Sequence, residues 1–108
     1  MATPESKVKA EVKKILDELG AYHFMPATHG YGRSGVPDIC GCLNGRFFGI
    51  ECKAGKGKTT ALQDRELKRI STAGGIALIV DETGLATLRE DLQGLIMEKR
   101  KGRGIIDF

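Results

Sequence analysis

The sequence predicts an α/β domain in which helices flank a mixed central sheet, and two local patterns carry that prediction. Asn44-Gly45 between two apolar stretches is typical of a tight β-hairpin, so we expect an antiparallel strand pair there. The apolar run of residues 76–80 follows a segment with helical spacing, which is the arrangement of a βαβ unit with parallel strands. A sheet that contains both units is mixed.

The size of the chain limits it to one domain. A second core in 108 residues would leave neither half enough buried apolar surface. We predict one domain over residues 1–98 and a basic C-terminal tail over residues 99–108. The apolar runs are too short to cross a bilayer, and the N-terminus lacks the layout of a signal peptide, so we expect a cytoplasmic protein without a membrane partner.

The charge is compatible with a nucleic-acid partner. The chain has 17 basic and 14 acidic residues, which leaves a net charge of +3. A surplus this small does not by itself establish binding to phosphate. The positions of the charged residues therefore matter more than their sum.

A first helix is predicted near the N-terminus. Thr3 can cap a helix whose first residue is Pro4, a favoured position for proline, and Gly20 can end it. The apolar residues between them recur at helical spacing and predict one buried face: Val8, Val12, Ile15, Leu16 and Leu19.

Three strands are predicted after this helix. Their apolar stretches cover residues 22–28, 37–43 and 46–54, and a glycine-rich loop separates the first from the second. The hairpin turn joins the second strand to the third.

The second half of the chain continues with a helix, a strand and a helix. Thr59 or Thr60 is expected to begin the second helix, and Gly74-Gly75 to end it. The apolar stripe predicted for this helix consists of Leu62, Leu67 and Ile70. The following strand, residues 76–80, is expected to be covered on both faces, and a third helix is predicted over residues 85–97.

The hairpin register brings two acidic residues together. If Asn44 and Gly45 are the two turn residues, counting outward along both strands places Asp38 opposite Glu51. Directly opposed side chains lie roughly 4.5–5.5 Å apart at Cβ, and like charges there repel. A divalent cation removes this repulsion, because Mg²⁺ is commonly held by one or two carboxylates. The register therefore predicts a metal site.

A lysine is expected beside the two carboxylates. Side chains alternate along a strand, so Lys53 shares a face with Glu51 while Phe48, Ile50 and Cys52 share the other face. The result is a compact cluster of two acids and one base, anchored by apolar residues on the opposite side of the sheet.

These motifs resemble those of a known group of enzymes. Residues 35–38 (GVPD), residues 50–53 (IECK) and the downstream Gln63 are similar to the motifs of PD-(D/E)xK nucleases, and within them of the VRR-NUC family of small stand-alone phage and bacterial proteins. The resemblance covers nearly the whole chain. It implies a restriction-endonuclease-like αβββαβ core and a Mg²⁺- or Mn²⁺-dependent endonuclease. The implied protein is a homodimer that hydrolyses phosphodiester bonds in branched DNA such as Holliday junctions.

The resemblance also implies roles for individual residues. Asp38, Glu51 and the main-chain carbonyl of Cys52 are expected to bind Mg²⁺ or Mn²⁺. Lys53 is expected to orient the attacking water or to stabilise the charge that develops on the phosphate.

Two further residues have competing interpretations. In the family that the chain resembles, a glutamate of the first helix reaches the metal, and Glu5 lies on the apolar face of that helix. A carboxylate favoured by the helix dipole explains Glu5 equally well. The family match implies an active-site role for Gln63, whereas its spacing from Thr60 is that of a capping box.

Three basic residues are candidates for DNA contact. Lys56 and Lys58 are expected to bind the DNA backbone near the cut, where they would supply salt-dependent affinity. Arg33 is either a phosphate contact or a solvated loop residue. The segment around Lys58 imitates the end of a P-loop, but Cys52 stands where the motif needs glycine, so no nucleotide triphosphate is expected. The alternative to a nuclease is a non-catalytic nucleic-acid-binding module that uses these basic loops.

Overall fold

The helices and strands follow one another in the predicted order, with three consecutive strands between the first and second helices. The computed structural model describes residues 3–27 and 32–98. Its helices are α1 (Pro4–Glu18), α2 (Ala61–Thr72) and α3 (Leu85–Met97). Its strands are β1 (Tyr22–Phe24), β2 (Ile39–Leu43), β3 (Arg46–Cys52) and β4 (Ile76–Val80). The predicted basic tail lies outside the described residues, and none of the described helices is long and apolar enough to span a membrane.

The four strands form one mixed sheet, as predicted. The strands lie in the order β1-β2-β3-β4, with the first three antiparallel and β4 parallel to β3. The helices flank this sheet, which is the layering of a restriction-endonuclease-like core. The βαβ unit formed by β3, α2 and β4 places the end of β3 next to the end of β4.

The hairpin turn sets the register that was counted from the sequence. Asn44 and Gly45 have φ angles of 50° and 81°, the left-handed conformation that a two-residue hairpin turn requires. Leu43 consequently pairs with Arg46, and the ladder runs to the pair of residues 39 and 50. The Asn44 side chain also donates hydrogen bonds of 2.7 Å to the carbonyls of Leu95 and Glu98. The turn is therefore held against the end of α3.

The hydrophobic core lies on one face of the sheet, between β2, β3 and β4 and the two helices α1 and α3. Four of the five residues of the predicted apolar face of α1 are buried, and the fifth, Leu19, is half-buried just after the helix. Thr3 caps this helix by accepting a 3.1 Å hydrogen bond from the N–H of Ser6. The fully buried side chains of the core include Val12, Leu16, Ile39, Phe48, Ile50, Cys52, Leu88 and Leu92. Phe48, Ile50 and Cys52 anchor β3 in this layer, as the alternation of side chains predicts.

The strand boundaries differ from prediction near two prolines. Strand β1 ends at Phe24 rather than at residue 28, and its last pair is Phe24 with Cys40. Pro26 has no N–H to donate to a ladder, which explains the early end. Strand β2 begins at Ile39, two residues after Pro37. Strand β3 also differs from prediction, because it ends at Cys52 instead of residue 54.

Two predictions about burial are wrong. Leu62 is exposed, and the buried residues of α2 are Glu66 and Leu67. The first turn of α2 lies against the chain at Gly35 through its backbone, where a Cβ would come within 2.5 Å of the Leu62 carbonyl carbon. Strand β4 is not covered on both faces, because Ile79 on the face of α2 remains exposed.

Gly41 is the tightest point of the sheet. A Cβ at this position would lie 2.0 Å from the Tyr22 carbonyl oxygen and 2.7 Å from a ring carbon of Phe48. We expect Gly41→Ala to reduce the free energy of unfolding by about 3 kcal/mol or more, because backbone cannot move away as a flexible side chain can. Urea unfolding followed by circular dichroism measures this loss.

Gly94 provides the matched control for that substitution. It lies inside α3, and no atom of the described residues outside its own stretch of helix comes within 4 Å of an added Cβ. Gly94→Ala should therefore stabilise the protein by about 0.5–1 kcal/mol through helix propensity. Equal effects of the two alanines would contradict the packing described around Gly41.

Candidate active site

Three carboxylates meet where the first helix approaches the open end of the hairpin. Glu5 lies in the first turn of α1, Asp38 directly precedes β2, and Glu51 lies near the end of β3. Each offers an oxygen, and the three oxygens lie within 4.8 Å of one another. The structure thus brings together the two hairpin carboxylates and the helix carboxylate.

The carboxylate of Asp38 is held by one main-chain hydrogen bond and one ion pair. Its Oδ2 accepts a 2.8 Å hydrogen bond from the main-chain N–H of Cys52, across the end of the hairpin. Its Oδ1 lies 3.5 Å from Nζ of Lys9. The first contact ties Asp38 to the residue next to Glu51, and the second ties it to α1.

Lys9 is the residue near this cluster that sequence reasoning missed. It lies one helical turn after Glu5, and the i, i+4 spacing places both side chains on one side of α1. That spacing was the available signal. The contact with Asp38 shows that α1 brings both an acid and a base to the cluster.

Glu51 is the most deeply buried member of the cluster. The residue is 1% exposed, its Oε1 lies 3.3 Å from the side-chain nitrogen of Gln63, and its buried Oε2 has no hydrogen-bond partner among the described residues. Burial raises the pKa of this carboxyl to about 8, with further upward contributions from Asp38 and Glu5, while Lys53 lowers it. Among the described residues, Gln63 and Lys53 therefore compensate the charged form of Glu51 only in part.

The cluster fits a divalent cation. An isolated buried carboxylate oxygen is costly, and three carboxylates within a few ångströms repel one another. A hard cation that prefers oxygen ligands, such as Mg²⁺ or Mn²⁺, would satisfy both conditions at once. The unpartnered Oε2 of Glu51 is a ligand atom already in position.

Gln63 satisfies both interpretations that its sequence context allows. Its Oε1 accepts a 2.9 Å hydrogen bond from the N–H of Thr60, and the Thr60 hydroxyl accepts one of 3.2 Å from the N–H of Gln63, so a capping box begins α2. Its Nε2 is left free to donate to Glu51. The side-chain amide of Gln63 therefore takes part in the cap of α2 and also donates to Glu51.

The predicted basic residues divide into two groups. Lys53 directly follows β3, where its N–H donates a 2.9 Å hydrogen bond to the Val80 carbonyl, and its ammonium lowers the pKa of Glu51. Lys56 and Lys58 are exposed in the next loop and are not part of the carboxylate cluster. The structure therefore brings one of the three lysines to the candidate metal ligands.

Arg33 is partly exposed but forms an ion pair. Its guanidinium lies 3.5 Å from the buried carboxylate of Glu66. Arg65 reaches the Ser34 carbonyl over 3.5 Å and also pairs with Glu66. These contacts attach the segment that leads to Asp38 onto α2, a function of Arg33 that the sequence did not indicate.

A phage protein shares much of this sequence. The chain is 35% identical over 85 residues to a protein named "Putative nuclease p44" from Acyrthosiphon pisum secondary endosymbiont phage 1. The alignment covers 78% of this chain and 85% of that protein. The chain belongs to the family of this phage protein. It matches no family profile.

The raised pKa of Glu51 predicts a pH-dependent stability for the metal-free protein. The pKa rises from 4.5 to about 8 on folding, so between these values the folded state holds a proton that the unfolded state has released. The free energy of unfolding should therefore fall as the pH rises through this window, by at most about 1.4 kcal/mol per pH unit from this group. Urea unfolding at pH 5, 6, 7 and 8 in the presence of a chelator measures the slope.

Glu51→Gln is the control that assigns the slope to this carboxyl. Glutamine has the same shape and does not titrate, so the downward slope should become flatter in this variant. A variant whose profile remains parallel to the wild type would show that another group causes the pH dependence.

Proposed function

We propose that this protein is a metal-dependent endodeoxyribonuclease of the PD-(D/E)xK superfamily and of its VRR-NUC family. The observation that carries the proposal is the meeting of Glu5, Asp38 and Glu51 around a buried carboxylate oxygen that has no hydrogen-bond partner within residues 3–27 and 32–98. The name of the related phage protein supports nuclease chemistry. The mixed sheet supports the restriction-endonuclease-like architecture.

Mg²⁺ or Mn²⁺ is the proposed cofactor. Asp38, Glu51 and the main-chain carbonyl of Cys52 are the proposed ligands, with Glu5 as a further one. When bound, the cation polarises the scissile phosphate and lowers the pKa of a coordinated water. The donor set supports this choice, because carboxylate and carbonyl oxygens suit Mg²⁺ and Mn²⁺.

The other residues of the site orient these ligands and balance charge. The amide of Gln63 holds Glu51 by one oxygen, while Lys9 and the Cys52 N–H hold Asp38. Lys53 lies on the Glu51 side of β3, where its ammonium can orient the attacking water and offset negative charge on the phosphate. Catalysis would then depend on groups from α1, the hairpin and α2 together.

Basic residues around the acidic centre are the proposed contacts to DNA. Lys56 and Lys58 are exposed just after the end of β3 and can bind phosphates near the cut. Arg33 keeps 55% of its side chain exposed although it pairs with Glu66. Branched DNA such as a Holliday junction is the proposed substrate, cut by a homodimer that presents one site to each of two strands. If the chain is phage-encoded, the reaction belongs to the cytoplasm of the bacterial host.

Loss of a metal ligand should abolish cleavage. We expect Asp38→Ala to reduce the rate of cutting a labelled four-way junction in Mn²⁺ by at least about 10²-fold, and Lys53→Ala to have an effect of similar size. A chelator should stop the wild-type enzyme, and added Mg²⁺ or Mn²⁺ should restore it. Gel electrophoresis of end-labelled strands gives the rates, and a flap and a plain duplex test the preference for branched DNA.

Asp91→Ala is the matched control, because Asp91 is an exposed aspartate of α3 outside the carboxylate cluster. It should cut like the wild type. Cleavage that persists unchanged in Asp38→Ala would reject the assigned site. Salt-sensitive DNA binding without cleavage, and without a need for divalent cations, would favour the alternative of a non-catalytic nucleic-acid-binding module.

The proposed dimer can be tested by the mass in solution. We expect about twice the 11.7 kDa chain mass by light scattering at the concentration of the cleavage assay. A junction-cutting enzyme with the mass of one chain would contradict the proposal that two copies act on the two strands.

A further inference from the structure

A groove lies beside the proposed active site on the same face of the sheet. It lies between α2 and the exposed ring of Phe47 and has a volume of about 370 Å³. We call it the Phe47 groove. Its walls include Arg33, Phe47, Glu66, Arg69 and Ile70.

The alternation of β3 relates the groove to the carboxylate cluster. Phe47 lies four residues before Glu51, so both side chains point to the same face of the sheet. At about 3.3 Å per residue the two positions are about 13 Å apart along the strand. A DNA strand cut at Glu51 can therefore reach the groove within a few nucleotides.

Arginine side chains surround one buried carboxylate, that of Glu66, at the groove. Glu66 has a side chain only 6% exposed, and its oxygens lie 3.5 Å from Arg33, 3.3 Å from Arg65 and 3.9 Å from Arg69. Two of these guanidinium groups, those of Arg33 and Arg69, line the groove together with Glu66, which leaves one positive charge in excess there. Arg65 pairs with Glu66 but is not a lining residue of the groove. About half of each arginine side chain remains exposed, so these charges are oriented by Glu66 and are still accessible.

Phe47 adds an apolar surface next to these charges. Phe47 is 44% exposed and forms no aromatic pair among the described residues, whereas Tyr22 and Phe24 on β1 form a tilted pair with ring centroids 6.2 Å apart. An exposed aromatic ring next to arginines suits an unpaired nucleotide, because the base can stack on the ring and the phosphates can bind the arginines.

A protein partner fits the groove less well. A second copy of this chain that docked through the same groove would bring the two sets of arginines together, and like charges repel. The excess positive charge complements the backbone of a nucleic acid instead.

We propose that the Phe47 groove binds an unpaired nucleotide of the DNA substrate, with its base stacked on Phe47 and its phosphates on Arg33 and Arg69. The proposal rests on the proposed function, because it assigns the groove to DNA that the nuclease site would cut. It adds that, among branched substrates, one with a single-stranded segment close to the cut binds more tightly than a fully paired four-way junction.

The natural sequence allows a direct test, because it contains no tryptophan. Phe47→Trp places a single fluorophore in the groove, and Phe24→Trp places one on the same face of the sheet at a residue of nearly equal exposure, 45% against 44%. Each variant is titrated with oligothymidylate at low salt without divalent cations, so that no cleavage occurs. Fluorescence anisotropy of a labelled oligonucleotide measures binding in parallel.

Stacking should quench the emission of the Phe47→Trp variant in proportion to the bound oligonucleotide and leave that of Phe24→Trp unchanged. Phe47→Ala should weaken binding of the oligonucleotide about tenfold. Phe24→Ala should leave the affinity within about twofold of the wild type. A blunt duplex of the same length should not quench the Phe47→Trp emission.

Arg69→Gln provides a second variant that leaves the aromatic ring in place. It should lower the magnitude of the slope of log affinity against log salt by about 0.7, as expected for the loss of one phosphate contact to a single strand. Circular dichroism shows that each variant is folded.

Equal quenching at positions 47 and 24, binding without quenching at position 47, or no binding of the oligonucleotide would each overturn the proposal. Cleavage of a four-way junction by the wild type is measured separately. An enzyme that cuts the junction but fails the quenching test retains the proposed nuclease function and lacks the nucleotide site.

Discussion

The constraint on which the candidate site depends is the burial of Glu51 next to two other carboxylates. One oxygen of Glu51 is hydrogen-bonded to Gln63, and the other has no partner in the described part of the chain. Such a group destabilises the folded state when it is charged, unless a cation compensates it. The contacts of Asp38 with Lys9 and the Cys52 N–H can be understood from this requirement, because they keep Asp38 close enough to share one cation with Glu51 and Glu5.

Helix α2 connects the features that lie on this face of the sheet. Its first turn supplies Gln63 to the carboxylate cluster, and its middle supplies Glu66 and Arg65 to the segment that precedes Asp38. Its later turns form one wall of the Phe47 groove. A displacement of this one helix would therefore affect a ligand contact, the chain before Asp38 and the groove at the same time.

The sequence was most informative where a short local pattern has one structural solution. The Asn44-Gly45 turn allowed the register to be counted, and the ladder follows that count. Thr3 and Pro4 marked the first residues of α1 for the same reason. Burial was less predictable, because exposure of Leu62 and Ile79 depends on where α2 crosses the sheet. The pairing of Arg33 with Glu66 joins residues 33 positions apart, and no local spacing indicates it.

The sequence by itself determined the order of the elements, the hairpin register and the closeness of Asp38 to Glu51, because turn geometry and strand alternation act over a few residues. Only the tertiary structure decided that Glu5 joins them, that Lys9 contacts Asp38 and that Glu66 gathers three arginines. These contacts depend on how α1 and α2 pack on the sheet. That packing is a balance of many weak interactions between residues far apart in the chain, and it cannot be read from any one segment.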